Sequence, residues 1–281
     1  MKRVVAVRRL TGGITSVVHA MIVEDVDGSR NRVVLRRYTQ GQKDRASTYV
    51  EQESKILAQL GNTNIPAPHL IASDSLGENT GGVPALLMTL VPGRMELSPK
   101  DPEIFVRQMA EHLVQIHEAK IDGRALDRPV KPTADRIPAA STSRTTWMRA
   151  LDLMNREPPP FNPCFLHRDY QHFNMLWSRG RLTGIVDWPF ASTGPRELDV
   201  GHCRLNLAVL FSAEWADLLR FDYEKESGRT LDPWWDVRAL WSFHDVWAKF
   251  IPQQIAGRRS FDLNGMWGRV DDLLASALKR A

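Results

Sequence analysis

The chain has 281 residues, 43% of them hydrophobic, and a formal net charge of +4, so it is globular and long enough for one large lobe or two coupled lobes. Its two cysteines, Cys164 and Cys203, form neither a C-x-x-C pair nor a disulfide framework, which argues against an oxidised, secreted scaffold. The N-terminus M-K-R-V-V-A-V-R-R lacks a leader-type apolar core and no apolar run reaches membrane-spanning length, so the expectation is a cytoplasmic protein without a membrane partner.

Residues 1 to 38 hold three short apolar-polar runs, V-V-A-V, S-V-V-H-A-M-I-V and R-V-V-L-R-R-Y, with Asp27-Gly28 marking the second turn. They predict a three-stranded antiparallel sheet. Positive charge gathers here: residues 1 to 45 carry ten Lys or Arg against four Asp or Glu, leaving the rest slightly negative. No interleaved aromatic platform or nucleic-acid motif accompanies it, so a nucleoside triphosphate or plain solvated strand faces account for it better than nucleic acid. Between the first two strands, Thr11-Gly12-Gly13-Ile14-Thr15-Ser16 would let backbone amides approach a phosphate. Taken alone, the Gly12-Gly13 pair reads as an ordinary hairpin turn. In the third strand Val34 and Arg36 share a face by the period of two, and a one-residue slip would exchange Arg36 for Arg37.

A helix is expected from Asp44 to Leu60, stopped by Gly61. Tyr49, Ile56, Leu57 and Leu60 lie on one face of it together with Glu53, whose carboxylate needs a partner there; Arg36 is the obvious one, unless Glu53 snorkels at the stripe's edge. After a polar turn at 74–82, V-P-A-L-L-M-T-L-V-P-G starts as a strand and stops at Pro92-Gly93, a natural connection between lobes. Asp101 to Lys120 is helical with Phe105, Met109, Leu113 and Ile116 on one face, and His117 near its end suits a hydrogen-bonded core position. Residues 121 to 142 read as an extended surface connection, Ser143 to Asn155 as another helix, and 197–281 as helical throughout, with Trp234, Trp235, Trp241 and Trp247 as packing residues.

The most informative stretch is C-F-L-H-R-D-Y-Q-H-F-N-M-L-W-S-R-G-R-L-T-G-I-V-D-W, from Cys164 to Trp188. Met175 to Trp177 and Leu182 to Val186 flank Ser178-Arg179-Gly180-Arg181 as two strands joined by a tight turn. With pairing centred near Gly180 and Arg181, Asn174 lies opposite Asp187, and their oxygens converge on a site suited to Mg²⁺. Asp169 stands one loop earlier, free to face a hydroxyl. His167 suits a hydrogen-bonded anchor of the loop, and His172 lies within it beside the site.

H-R-D-x-x-x-x-N followed by a metal-binding Asp resembles the catalytic signature of kinase-like phosphotransferases. With I-V-D-W in place of D-F-G, the chain resembles their aminoglycoside phosphotransferase and choline kinase-like branch. The resemblance implies an α+β, two-lobed protein kinase-like fold: residues 1–91 as a nucleotide-binding lobe with an antiparallel sheet and one helix, residues 92–281 as a mainly helical lobe for catalysis and acceptor binding. It implies Gly12, Gly13 and Ser16 over the phosphates, Val34 and Met88 against the base, and the main chain of Thr89 and Val91 at its edge. Arg36 would stand where Lys is usual and hold phosphates, oriented by Glu53. Asp169 would orient the acceptor hydroxyl, Asn174 and Asp187 would hold the metal, and Asp199 would support the loop from below.

Two departures are visible. Arg168 stands where Gly is common in the small-molecule branch, and Pro189 where an acidic residue is often found. The first keeps protein substrates in view, while D-W and the absence of A-P-E favour a small acceptor. The expected chemistry is transfer of the γ-phosphoryl group of Mg-ATP or Mg-GTP to a small hydroxyl-bearing acceptor. Residues 214 to 245 hold eight carboxylates against four basic side chains, which would suit a polycationic aminoglycoside, though solvated helix faces explain the same count. An amino alcohol, a sugar or a macrolide is equally compatible. The alternative is a catalytically silent nucleotide-binding module; the sequence leaves oligomeric state open.

Overall fold

The computed structural model describes residues 3–10, 16–38, 43–126, 132–241, 248–256, 258 and 260–281. β1 (Arg3–Leu10), β2 (Ser16–Glu24) and β3 (Arg30–Tyr38) form the expected antiparallel meander. It belongs to a wider sheet, because β4 (Leu70–Asp74) and β5 (Ala85–Thr89) extend it in the order β1-β2-β3-β5-β4. The sequence reading missed β4. It is an edge strand that is largely exposed, so it lacks the apolar alternation by which a half-buried strand announces itself.

One helix, α1 (Lys43–Leu60), covers this sheet, and Val50, Ile56, Leu57 and Leu60 are buried on its inner face. Gly61 ends it with an N–H bond back to Leu57 O. The chain then leaves the sheet through residues 90–101. Arg94 and Trp177 exchange both backbone hydrogen bonds there, at 3.0 and 2.8 Å, which ties this connection to the hairpin of the helical part.

α2 (Pro102–Glu118) starts where its cap predicts: Asp101 accepts from Ile104 N, and Pro102 occupies the first turn. The segment that follows is more structured than expected. β6 (Arg124–Ala125) pairs with a later strand, a 3₁₀ turn spans Ala134–Arg136, and Ile137 is buried. α3 (Arg144–Met154) leads to β7 (Cys164–Leu166). The hairpin β8 (Met175–Ser178) and β9 (Arg181–Ile185) follows, then β10 (Ser192–Gly194), which joins β6 and β7 in a small sheet.

α4 (Glu197–Leu210) runs through the middle of the helical part with nearly every residue buried. α5 (Ala213–Ser227) and α6 (Pro233–Leu240) pack against it, as does, after the short α7 (Ile251–Ile255), α8 (Met266–Leu278). Trp234, Trp235 and Trp241 are core residues as expected; Trp247 lies outside the described residues. Both cysteines are buried and free, and among the described residues no helix is long and apolar enough to cross a membrane. A small antiparallel sheet with one helix, set against a larger helical body, is the α+β architecture expected.

Candidate active site

Between sheet and helices lies a cleft of about 1520 Å³. A ligand pocket usually measures roughly 300–1,000 Å³, so this one has room for two substrates side by side. Strand alternation sends Arg32, Val34 and Arg36 of β3 into it together. The register is the one that faces Arg36 inward, with Val18 and Leu86 as its neighbours on the adjacent strands.

Arg36 is buried and its guanidinium is fully directed. Nη1 donates to both oxygens of Glu53 at 3.0 Å, Nη2 to Asp187 Oδ1 at 2.7 Å, and Nε to Ser16 Oγ at 3.1 Å. The ring of Tyr38 lies 4.9 Å from the guanidinium carbon, and its hydroxyl donates to Glu53. Burial pulls the arginine's pKa down, but Asp187 and then Glu53 outweigh it and raise it. For Glu53, burial pushes the carboxyl up while Arg36 pulls it down. Glu53 is the ionised partner of a guanidinium that cannot lose its proton, and the Trp188 N–H adds a further donor at 3.2 Å.

The loop after β7 is held from beneath by α4. Asp199 accepts the N–H of His167 at Oδ2 and that of Arg168 at Oδ1, both at 2.7 Å. It also faces His117 Nε2 at 3.4 Å, and His117 Nδ1 meets the Tyr223 hydroxyl. Burial would raise the Asp199 carboxyl, but His117, His167 and these N–H groups lower it. His167 anchors the loop's other side: Nε2 donates to Val186 O and Nδ1 accepts the Asp169 N–H, which fixes a neutral tautomer. Asp169 therefore enters the cleft on a braced backbone.

Its carboxylate is braced as well. Gln171 Nε2 and His202 Nε2 reach Oδ1 at 2.6 and 3.0 Å, and Asn174 Nδ2 donates to Oδ2 at 2.7 Å. Gln171 and His202 escaped the sequence reading. Helical spacing held a signal for the second, because His202 follows the loop-supporting Asp199 by three residues on α4. Leu198 and His202, the two residues of α4 that are not buried, line the cleft.

The hairpin differs from expectation by one residue. Its turn is Arg179-Gly180, both at positive φ (51° and 75°), and a bulge separates Leu176 from Trp177. Asn174 O accepts from Val186 N, so Asp187 stands one position past the pair rather than opposite Asn174. Asp187 itself has φ 74°, a left-handed conformation that Asp tolerates better than most residues. Both side chains line the cleft. The amide nitrogen of Asn174 is spent on Asp169, leaving its oxygen outside those bonds, and Arg36 uses one oxygen of Asp187.

Among the described residues no cluster of three or more His, Cys, Asp or Glu side chains could hold a metal. One carboxylate and one amide oxygen nevertheless fit Mg²⁺, which takes few protein oxygens and completes its shell with water and phosphate.

Val34, Met88, Thr89 and Val91, expected against or beside a base, all line the cleft. Thr89's amide is already committed to His69 O at 2.9 Å, which leaves Val91 as the donor not spent in these bonds. Gly12 and Gly13 lie outside the described residues; Ser16 opens β2 at the cleft edge and holds Arg36.

Two expectations need correction. His172 is not beside the cleft: it is fully buried between Phe173 and Phe211, and burial pushes its pKa down to about 3. The acidic surplus of residues 214 to 245, as far as it is described, lies away from the cleft. Asp217 and Asp236 pair with the buried Arg204, Glu224 pairs with Arg220, and Asp232 caps α6. Among the described residues none of those carboxylates lines the cleft.

A family model described as the phosphotransferase enzyme family matches residues 13–241. No curated protein matches the chain. Solved structures share the fold at low identity. A Ralstonia eutropha protein provisionally assigned as an aminoglycoside phosphotransferase has TM-score 0.64 and 16% identity, covering 99% of this chain and 94% of its own. A thermostable mutant of aminoglycoside phosphotransferase APH(4)-Ia, in a ternary complex with ADP and hygromycin B, has TM-score 0.62 and 17% identity over 97% and 94%. ADP-bound APH(2'')-Ib has TM-score 0.53 and 16% identity over 97% and 93%.

Proposed function

The chain belongs to the phosphotransferase enzyme family, whose members act on hydroxyl groups, and on that premise we propose that it moves the γ-phosphoryl group of Mg-ATP or Mg-GTP to a hydroxyl of a small acceptor. The observation that carries this reading is Asp169: a braced carboxylate in the same cleft as the Arg36, Glu53 and Asp187 cluster. Binding alone gives no reason to fix an acidic side chain where an acceptor would sit.

In this reading residues 1–91 cover the nucleotide and 92–281 carry the acceptor side. Asp169 accepts a hydrogen bond from the acceptor hydroxyl and aims its oxygen at the phosphorus. A carboxylate is a weak base at neutral pH, and a loose phosphoryl-transfer transition state asks for little early proton removal, so positioning is its larger contribution. Gln171, His202 and Asn174 keep it from rotating. Arg36 offsets phosphate charge, with Glu53 fixing its plane. Asn174 and Asp187 would hold Mg²⁺, which when bound would offset phosphate charge. Solved neighbours complexed with ADP or AMP-PNP support an adenine nucleotide as donor; GTP is the other candidate.

Nucleoside diphosphate release from ATP and from GTP, with and without Mg²⁺, across sugars, amino alcohols, hydroxy acids, macrolides and aminoglycosides, tests this. Release that depends on acceptor and metal and disappears in Asp169→Ala supports it. Tight metal-dependent nucleotide binding without turnover on any acceptor would instead favour a silent nucleotide-binding module.

A further inference from the structure

Asp187, one of the two residues that would hold Mg²⁺, sits on a backbone fixed from both sides. Before it, Val186 N donates to Asn174 O at 2.9 Å and Val186 O accepts from His167 Nε2 at 3.1 Å. After it, Trp188 N donates to Glu53 Oε1 at 3.2 Å. None of these bonds sets the rotation of the Asp187 carboxylate, a torsion with only broad preferences of its own.

Arg36 sets it. Nη2 reaches Oδ1 at 2.7 Å in a charge-assisted bond, and because Arg36 is only 7% exposed the guanidinium has no room to follow a rotating partner. Oδ2 is left outside this bond, on a side chain that is 29% exposed and lines the cleft. Asn174 is oriented in the same manner. Its Nδ2 donates to Asp169 O and Oδ2 at 2.9 and 2.7 Å, so its amide oxygen is the end not held.

The shape of arginine matters to this arrangement. Three nitrogens go to three partners: Nε to Ser16 Oγ at 3.1 Å, Nη1 to Glu53 at 3.0 Å and Nη2 to Asp187. An ammonium is a single point of charge with no separate nitrogen for each, whereas a planar guanidinium holds all three at fixed angles. Where the kinase resemblance implies Lys, Arg therefore adds a directed grip on Asp187.

Resting on the phosphotransferase reading and its placement of Mg²⁺ at Asn174 and Asp187, we infer that Arg36 is a positioning residue for the metal, holding Oδ1 so that the carboxylate presents its other oxygen in one orientation. Groups that orient a metal's ligands are typically worth about tenfold to a hundredfold in metal affinity.

The test counts free Mn²⁺, which suits the same oxygen donors, by electron paramagnetic resonance in protein saturated with AMP-PNP, with AMP-PNP in solution as the reference. Turnover is not the readout. Arg36→Met, Glu53→Gln removes the guanidinium together with the carboxylate it balances, so net charge is unchanged and a weaker site is not a long-range charge effect. Mn²⁺ affinity should fall about tenfold or more. Arg36→Lys, which keeps the charge and gives up the fork, should fall part of the way. Added to Asp187→Asn, the double variant should cost little more, because the effect of Arg36 runs through Asp187. Urea denaturation and AMP-PNP affinity on the same samples identify folded protein, and either Arg36 variant suffices for the comparison.

Mn²⁺ affinity that is unchanged or tighter in the folded variants would overturn the inference, tighter binding showing that the guanidinium competes with the metal for Asp187. Losses that add in full to that of Asp187→Asn would overturn it too, since Arg36 would then act elsewhere. If Asp187→Asn itself left Mn²⁺ affinity unchanged, the metal placement would fall and the inference with it; a loss in Asp187→Asn with none in the Arg36 variants would remove the inference alone.

Discussion

Arg36 and Asp187 are 151 positions apart in sequence, and 2.7 Å separates the guanidinium Nη2 from the carboxylate Oδ1. This contact joins the sheet to the residue that ends the β8–β9 hairpin. Because the same guanidinium grips Glu53 of α1, three elements meet at one cation.

Removing that cation should therefore be costly. Arg36→Met leaves Glu53 buried with its counter-ion gone and should destabilise the fold by about 3–5 kcal/mol in urea denaturation. The double variant Arg36→Met, Glu53→Gln should recover part of the loss. Equal, additive losses in the cycle would mean that the two side chains do not act as a pair.

Asp199 is expected to matter without touching a substrate. Asp199→Asn replaces a carboxylate that accepts two backbone N–H groups by an amide with one accepting oxygen, at a cost of about 2–4 kcal/mol by urea denaturation. Since those N–H groups position Asp169, turnover should fall further than nucleotide affinity in protein that is still folded.

His202 should behave as a positioning residue. His202→Ala removes one of the donors holding Asp169 Oδ1 and should lower kcat on the order of tenfold to a hundredfold. Nucleotide affinity should stay unchanged, and His202→Gln, which keeps an N–H donor, should restore part of the rate. A loss confined to KM for the nucleotide would contradict this role.

What the sequence disclosed follows physical periodicity. Arg36 and Glu53 were legible because a strand repeats every two residues and a helix every three to four, which sends both toward the same space. Asp169, Asn174 and Asp187 were legible from fixed spacing around a short hairpin. The turn at Arg179-Gly180 and the bulge between Leu176 and Trp177 were not, and together they set Asn174 against Val186 rather than Asp187. β4 was hidden because an exposed edge strand needs no apolar pattern. His202 was hidden for the opposite reason: α4 is buried nearly all round, so periodicity cannot mark the narrow face it gives to the cleft.

Acid should loosen the brace beneath the loop. Burial lowers the pKa of His117, Asp199 partly restores it, and Arg196 lowers it again. The unfolded chain therefore takes up a proton on this residue first, at pH values near the ordinary ~6.5 of histidine. Its contribution to stability is complete above that pH and lost as pH falls toward the lower folded-state value. One such group adds up to about 1.4 kcal/mol per pH unit to the slope. His117→Gln should flatten the urea-midpoint profile as pH falls below about 6.5 relative to the parent protein. An unchanged profile would mean that His117 takes up its proton equally in both states.

The most direct measurement follows a radiolabelled γ-phosphate from Mg-nucleotide to acceptor in the parent protein and in Asp169→Ala, with nucleotide affinity determined on the same samples. Nucleotide affinity should stay within about threefold while labelled product falls on the order of a hundredfold or more. Undiminished transfer in Asp169→Ala would contradict the placement of the reacting hydroxyl at Asp169 and, with it, the mechanism built around that carboxylate.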